Sequence, residues 1–257
     1  MESIQNKVKT TLEDLRPTSE GQSLQTNREL PTEDVCLRIL KSHFKEAADK
    51  ITERDTRGEV KEYKFTDARK VLVTDLLMYF MRHTQSSLNP DKGLLIRGSV
   101  GAGKTMLFRI INTISRTRDW VDICGQGRSF KIENSIDIAD GYARDGYKYL
   151  DRFTRREHAT KIADGLLIPI NYLFDDLGTD ESKKHYGNEI NPMARVLDAR
   201  FNHWLNSNVL THITTNLTDE ELDKYYGTRL HSRFHQMLNQ ITISDTTDYR
   251  QTDLFTK

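Results

Sequence analysis

The sequence predicts an α/β fold: a parallel sheet of about five strands, flanked by helices and preceded by a small helical N-terminal region. Three observations predict it. A glycine-rich segment, residues 98–105, follows a short apolar run and precedes apolar residues at helical spacing. A second apolar run, residues 166–174, ends in two aspartates, and a third, residues 209–213, ends in Thr-Thr-Asn. Polar residues at the ends of successive strands indicate a site at the carboxyl edge of a parallel sheet.

The N-terminal part of the chain differs in composition from the rest. Residues 1 to about 30 are polar, which predicts a loosely ordered arm, and Pro31 begins a weakly periodic helical pattern. The charged residues 54–64 predict a linker. Thr66 then caps a helix that runs to about Phe80. We therefore expect a helical, partly flexible region over 1–60 and one larger domain over 61–257.

The glycine-rich segment fits G-x-x-x-x-G-K-[ST], the phosphate-binding loop (P-loop). Its glycines allow backbone N–H groups to turn toward an anion, and the N-terminus of the following helix adds positive potential. Lys104 is expected to reach the β and γ phosphates of a nucleoside triphosphate, and the Thr105 hydroxyl to bind Mg²⁺. The predicted nucleotide-binding residues are Gly98, Ser99, Val100, Gly101, Ala102, Gly103, Lys104, Thr105 and Met106.

Residues 130–132 are a candidate strand, and residues 142–160 have a helical pattern in which aromatic and basic residues alternate. Such a surface can stack on and neutralise single-stranded nucleic acid. It is also typical of an amphipathic helix whose aromatic residues face the core, and we favour this second interpretation because acidic residues are interspersed.

The apolar run that ends in Asp175 and Asp176 predicts a buried strand that ends beside the phosphate loop. Asp175 would then reach Mg²⁺, directly or through water. Asp176 would face the water in line with the γ phosphate, as a base or as a water-orienting group.

Asn216 ends the next predicted strand, where its amide is expected to hydrogen-bond the attacking water or the γ phosphate. Residues 240–243 form a last short strand. His231 and His235 share one helix face four residues apart, a spacing that suits zinc. The glutamate of H-E-x-x-H is missing and no third ligand is evident, so we expect no metal there.

Composition excludes several protein classes. Lys plus Arg and Asp plus Glu number 38 each, so no global positive field indicates nucleic-acid binding. Two cysteines are too few for a disulfide framework or a cysteine-rich zinc site. No apolar run reaches membrane-spanning length, and we expect a soluble, cytoplasmic protein with no membrane partner.

With these motifs assigned, the chain from about residue 65 to residue 250 resembles AAA+ ATPases. Within that group it is similar to the helicase-loader and transposition-helper branch, the DnaC and IstB proteins. The resemblance rests on four segments in the family's order: residues 98–105, 174–178, 214–217 and 227–234.

The resemblance implies a P-loop NTPase fold of the AAA+ type, with ATP and Mg²⁺ bound at the site. It implies that Asn216 is a sensor of the γ phosphate. It also implies that Arg233 is the arginine finger that enters a neighbouring subunit, with Arg229 as a second candidate. The predicted catalytic set is thus Lys104, Asp176, Asn216 and Arg233, and the predicted metal ligands are Thr105 and Asp175.

Two departures from the family pattern bear on these roles. Many AAA+ proteins have Glu at the position of Asp176. Proteins of the helicase-loader and transposition-helper branch have Asp there, as this chain does. We expect the helical lid of full AAA+ proteins to be missing or minimal, which leaves Arg250 as the nearest candidate for a second sensor arginine.

Four functions remain open from the sequence. The first is an oligomeric ATPase that assembles on single-stranded DNA and loads a replicative helicase through residues 1–60. The second is a transposition helper that selects target DNA with a transposase. The third is a small-molecule phosphotransferase with residues 144–156 as an arginine-rich lid. The fourth, a GTP-dependent switch, lacks the guanine-reading Asn/Thr-Lys-x-Asp tetrad.

Overall fold

A computed structural model describes residues 32–55, 66–163, 166–180, 182–185 and 188–244 of the chain. The predicted N-terminal arm, the linker after residue 55, the domain boundary near residue 60 and Arg250 lie outside these residues.

The described part of the chain contains both helices and strands. The helices are α1 (Glu33–Asp55), α2 (Asp67–Phe80), α3 (Lys104–Ile114), α4 (Arg118–Cys124), α5 (Ser135–Asp145), α6 (Tyr147–Thr154), α7 (Pro192–Ser207), α8 (Asp219–Tyr226) and α9 (Thr228–Met237). The strands are β1 (Gly93–Gly98), β2 (Phe130–Asn134), β3 (Thr160–Ala163), β4 (Leu166–Pro169), β5 (Asn171–Leu177), β6 (Lys183–His185), β7 (Asn188–Ile190), β8 (Thr211–Thr215) and β9 (Leu238–Ile243).

The central sheet has five parallel strands in the order β2-β5-β8-β1-β9, which confirms the predicted fold class. In this order β8 lies between β1, which leads into the phosphate loop, and β5, which carries the two aspartates. All five strands run the same way, so the loop, Asp175 and Asn216 emerge at one edge of the sheet.

The core has two layers, one on each face of the sheet. On one face, Leu40 and Phe44 of α1 share a buried cluster with Leu94 and Ile96 of β1 and with residues of α2 and α3. On the other face, α5 to α9 pack over β5 and β8 around Phe174. The helix α1 therefore packs on the same core as β1 and α3.

The predicted helix over 142–160 is wrong in its extent, because the chain breaks at Gly146. That residue has φ 63° and caps α5 by donating its N–H to the Tyr142 carbonyl over 2.7 Å. Glycine adopts such a positive φ at low cost because it has no Cβ. The helix α6 then ends at Thr154, and the chain enters β3 at Thr160.

The apolar run over 166–177 is likewise two strands. The first, β4, pairs antiparallel with β3 in a separate hairpin, and β5 alone enters the main sheet. Pro169 has no N–H to donate to a sheet ladder, which explains why the strand ends there. No helix among the described residues has the length and apolar character that crossing a membrane requires.

Candidate nucleotide site

The phosphate loop links β1 to α3 through backbone conformations that favour glycine. Gly101 and Gly103 have φ 82° and 75°, in the left-handed region. Gly98 is close to the neighbouring strand, since a Cβ there would lie 2.9 Å from the Ile243 carbonyl oxygen. The three glycines of the motif are therefore required by the backbone itself, and the loop is held open at the N-terminus of α3.

Lys104 is almost completely buried beneath this loop, at 5% exposure. Its Nζ donates to the carbonyl oxygens of Gly98 and Ser99 over 2.8 and 3.0 Å, and to Asn216 Oδ1 over 2.5 Å. The structure thus brings Lys104 and Asn216, 112 residues apart in the chain, into direct contact. A γ phosphate that reached Lys104 would also lie beside the Asn216 amide.

The oxygen atoms of Thr105 and Asp175 form a pair suited to Mg²⁺. Thr105 Oγ1 donates to Asp175 Oδ1 over 3.0 Å. Two ligands on adjacent corners of an octahedral Mg²⁺ shell are about 2.9 Å apart, given the usual Mg–O distance. The hydroxyl and the carboxylate therefore fit the ion in both chemistry and spacing.

Asp176 has an unusual backbone conformation, with φ 54°. The β5–β8 register shifts between Phe174 and Leu177, which places Asp176 at an irregularity of the strand. A non-glycine residue in the left-handed region costs about 1 kcal/mol or more and is common at functional sites. The irregularity allows Asp175 and Asp176, although consecutive, to have different surroundings.

Thr214 of β8 organises both aspartates, a role that the sequence analysis missed. Its Oγ1 donates to Asp175 Oδ1 over 2.5 Å and accepts from the Asp176 N–H over 2.9 Å. The residue belongs to the Thr-Thr-Asn segment, but its role depends on β8 lying beside β5, which the motif alone does not specify.

Arg69 of α2 is a second residue that the sequence analysis missed. It is 4% exposed, and its Nη2 donates to the Ala102 carbonyl of the phosphate loop over 2.6 Å. A Cβ placed on Gly103 would lie 3.7 Å from the same nitrogen. No sequence signal marks this arginine, which lies 33 residues before its partner.

Arg233 and Arg229 lie on α9 and do not contact the phosphate loop of their own chain. Arg233 forms an ion pair with Asp198 of α7, and its guanidinium carbon lies 4.5 Å from the centre of the Phe201 ring. Arg229 is exposed and lines a cleft of about 670 Å³ together with Asp151, Arg195 and Asp198. The two candidates therefore differ in availability: Arg229 faces solvent, whereas Arg233 is held within the subunit.

In α5 and α6 the aromatic side chains lie mostly inside, whereas the basic side chains are exposed. Tyr142 and Phe153 are buried, and the guanidinium carbon of Arg152 lies 4.0 Å from the centre of the Tyr149 ring. Arg155 pairs with Asp151 over 2.8 Å. This is the packing expected of amphipathic helices.

Comparisons with known proteins find similar solved structures but no family for this chain. No protein-family model and no curated protein matches the chain. A solved structure from Streptococcus pyogenes serotype M3, described as a primosome component, is 15% identical over 70% of this chain and 81% of its own, with a TM-score of 0.46. DnaI is 17% identical over 71% of this chain and 88% of its own, with a TM-score of 0.45. AMPPCP-bound DnaA from Aquifex aeolicus is 18% identical over 70% of this chain and 48% of its own, with a TM-score of 0.41. At this level of similarity the neighbours describe no activity or partner for this chain.

Proposed function

We propose that the protein is an AAA+ ATPase that assembles on DNA and uses ATP hydrolysis to load or remodel a replicative helicase. The observation that supports it most is the convergence of Lys104, Thr105, Asp175 and Asn216 at one edge of the sheet. An isolated phosphate-loop sequence occurs by chance. Here the loop lysine is also buried and bonded to Asn216, the residue that directly follows β8.

In this proposal ATP binds with its phosphates on the loop over 98–105, and Lys104 exchanges its carbonyl and Asn216 contacts for phosphate oxygens. Thr105 and Asp175 would hold Mg²⁺, which supplies charge neutralisation of the β and γ phosphates when bound. Asp176 orients the attacking water and accepts its proton. Asn216, released from Lys104, reports whether the γ phosphate is present.

In this proposal, the arginines of α9 make hydrolysis depend on assembly of the subunits. A guanidinium supplied by a neighbouring subunit stabilises the charge that develops on the γ phosphate and makes hydrolysis depend on oligomerisation. Arg229 is available without rearrangement, whereas Arg233 must first leave Asp198. We retain both candidates, with Arg233 in the role that the resemblance implies.

Residues 1–60 are proposed to bind the partner, and a cytoplasmic location follows from the proposed role at the replication fork. The described part of that region, α1, packs on α3, so a partner bound there would lie close to the nucleotide-binding helix. A transposition helper that binds a transposase is the second candidate. A transposition helper would have the same four motifs as a helicase loader, so only the partner distinguishes the two functions.

The test is the ATPase rate per subunit as a function of protein concentration, with and without single-stranded DNA. We expect the rate per subunit to rise with concentration and with DNA, because each site needs a neighbour. A rate independent of both would contradict assembly-dependent hydrolysis. Capture experiments with a replicative helicase and with a transposase then separate the two partners, and failure of both would contradict the proposal.

A further inference from the structure

Three potential metal ligands meet between α8 and α9, outside the nucleotide site. They are Asp219, the first residue of α8, and His231 and His235, four residues apart on α9. One ligand atom from each residue lies within 4.8 Å of the others. Asp219 is the third ligand that the sequence analysis did not find. It lies on a different helix, 12 residues before His231, at no spacing that a zinc motif specifies.

The distances among these atoms match the geometry of zinc. His231 Nε2 lies 3.1 Å from Asp219 Oδ1 and 3.3 Å from His235 Nε2, and His235 Nε2 lies 3.6 Å from Asp219 Oδ2. Ligands on two corners of a tetrahedral Zn²⁺ site are about 3.3 Å apart, given the usual Zn–N and Zn–O distances. Each pair of donor atoms is thus spaced about as two ligands of one ion are, with Asp219 offering Oδ1 to His231 and Oδ2 to His235.

Neighbouring residues supply the supporting contacts of a metal site. Arg97 Nη2 donates to Asp219 Oδ1 over 2.8 Å, which orients the carboxylate and leaves Oδ2 facing His235. Asp223 Oδ1 is buried without a hydrogen-bond partner among the described residues and lies 3.8 Å from His231 Nδ1. This separation is longer than a hydrogen bond, so Asp223 would hold the tautomer that coordinates zinc through Nε2 only after a small movement toward His231 Nδ1.

We propose that Asp219, His231 and His235 bind one Zn²⁺ ion, with the fourth position open to solvent beside the half-exposed His235. The ligand class is a borderline transition metal rather than Mg²⁺, because two of the three donors are imidazole nitrogens. The bound ion joins α8, which follows Asn216, to α9, which carries Arg229 and Arg233. The zinc site would therefore fix the position of α9 relative to α8 and to Asn216, which precedes it.

The experiment uses the full chain without a histidine tag, stripped of metal and free of nucleotide. Calorimetric titration with Zn²⁺ is expected to show one equivalent bound, and Co²⁺ is expected to give the intense visible absorption of tetrahedral coordination. His235→Ala should weaken Zn²⁺ binding at least tenfold and abolish that absorption. His158→Ala, which removes another half-exposed histidine on a different element, should leave both unchanged.

His235 is exposed at the surface, so the loss of its ring should leave the fold intact, which circular dichroism checks. Asp219→Asn provides an independent second variant because it keeps the shape of the side chain and removes its charge. Equal Zn²⁺ affinity in the parent, His235→Ala and Asp219→Asn proteins would overturn the proposal, as would the absence of one-to-one binding. Neither result depends on ATP hydrolysis, so the proposed function is tested separately.

Discussion

Two consecutive aspartates at the end of β5 have different surroundings because their backbones differ. Asp175 is 6% exposed and accepts hydrogen bonds from the hydroxyls of Thr105 and Thr214. Asp176, in the left-handed region, is turned out of the regular strand and is partly exposed. One residue is thus suited to binding a cation and the other to meeting a water molecule.

Asp176→Asn tests this division of tasks. The variant should bind ATP with unchanged affinity, since Lys104, Thr105 and Asp175 remain, and should lose hydrolysis by about 10²-fold or more. Nucleotide titration and single-turnover hydrolysis measure the two quantities separately. Turnover at the parent rate would assign the water-positioning role to another residue.

Thr214→Val removes the hydroxyl that connects the aspartates while keeping the shape of the side chain. Asp175 loses a buried donor and the Asp176 N–H loses its acceptor, so we expect hydrolysis to fall more than ATP binding does. Thr214→Ser is the matched control, because it retains the oxygen and should recover most of the activity. If the valine variant hydrolyses ATP as well as the serine variant does, the hydroxyl has no such role.

At the scale of elements, β8 both leads to Asn216 and contributes to the core. It inserts His212 among the rings of Phe80, Phe108 and Phe130, and neither ring nitrogen has a hydrogen-bond partner among the described residues. Burial, with Arg128 and Arg200 adding to it, lowers the pKa of His212 to about 3. The side chain is therefore neutral in the folded protein at any pH near neutrality.

His212 makes the folding stability depend on pH. Unfolded histidine has a pKa near 6.5, so below that pH the unfolded chain binds a proton that the folded chain does not. Above about pH 6.5 the protonation of His212 should not reduce the free energy of unfolding. Below that pH the free energy of unfolding should fall toward pH 3, by at most about 1.4 kcal/mol per pH unit for this one group. We expect His212→Leu to show a shallower decline than the parent in urea unfolding at pH 7.5 and 5.5.

The exposed His158 provides the control, because His158→Ala should keep the parent's decline. A His212→Leu protein that loses as much stability as the parent between these two pH values would contradict burial of a neutral ring.

The same elements show what could be predicted from the sequence. The strand β1, the phosphate loop and α3 are predicted because their signals are local: an apolar run, glycines and a helical period. The contacts of Thr214 with Asp175 and of Arg69 with Ala102 join residues 39 and 33 positions apart and follow from the packing order of strands and helices. Asp219 is not predicted as a ligand because its proximity to His231 and His235 likewise follows from the packing of α8 on α9. Gly146 was a local signal, but the periodicity on either side of it concealed the break.

At the scale of the whole molecule, the proposed hydrolysis calls for a second cation at the γ phosphate, and among the described residues only Lys104 is assigned there. The arginines of α9 lie on another part of the surface, around α7. A neighbouring subunit is therefore the expected source of that charge. If Arg233 is the finger, the Arg233–Asp198 ion pair would act as a switch, because the subunit holds Arg233 in this pair and assembly would have to release it.

Mixing two inactive variants tests whether the finger acts between subunits. Lys104→Ala should bind triphosphate weakly and hydrolyse little, yet it keeps the arginines of α9. Arg233→Ala should bind ATP normally and lose assembly-dependent hydrolysis on the order of 10³-fold, yet it keeps a complete phosphate loop. In a mixed assembly, Arg233 of a Lys104→Ala subunit can enter the site of an Arg233→Ala neighbour, so the mixture should regain activity that neither protein has alone.

Arg229→Ala, mixed with Lys104→Ala in the same way, decides between the two arginines. The finger is the residue whose alanine variant is inactive alone and is rescued in the mixture. The Arg233→Ala protein could instead hydrolyse ATP normally, with only the Arg229→Ala protein rescued. The finger would then be Arg229, and the Arg233–Asp198 pair would serve to dock α9 on α7. If no mixture exceeds the sum of its parts, each chain completes its own site, and assembly-dependent hydrolysis is wrong.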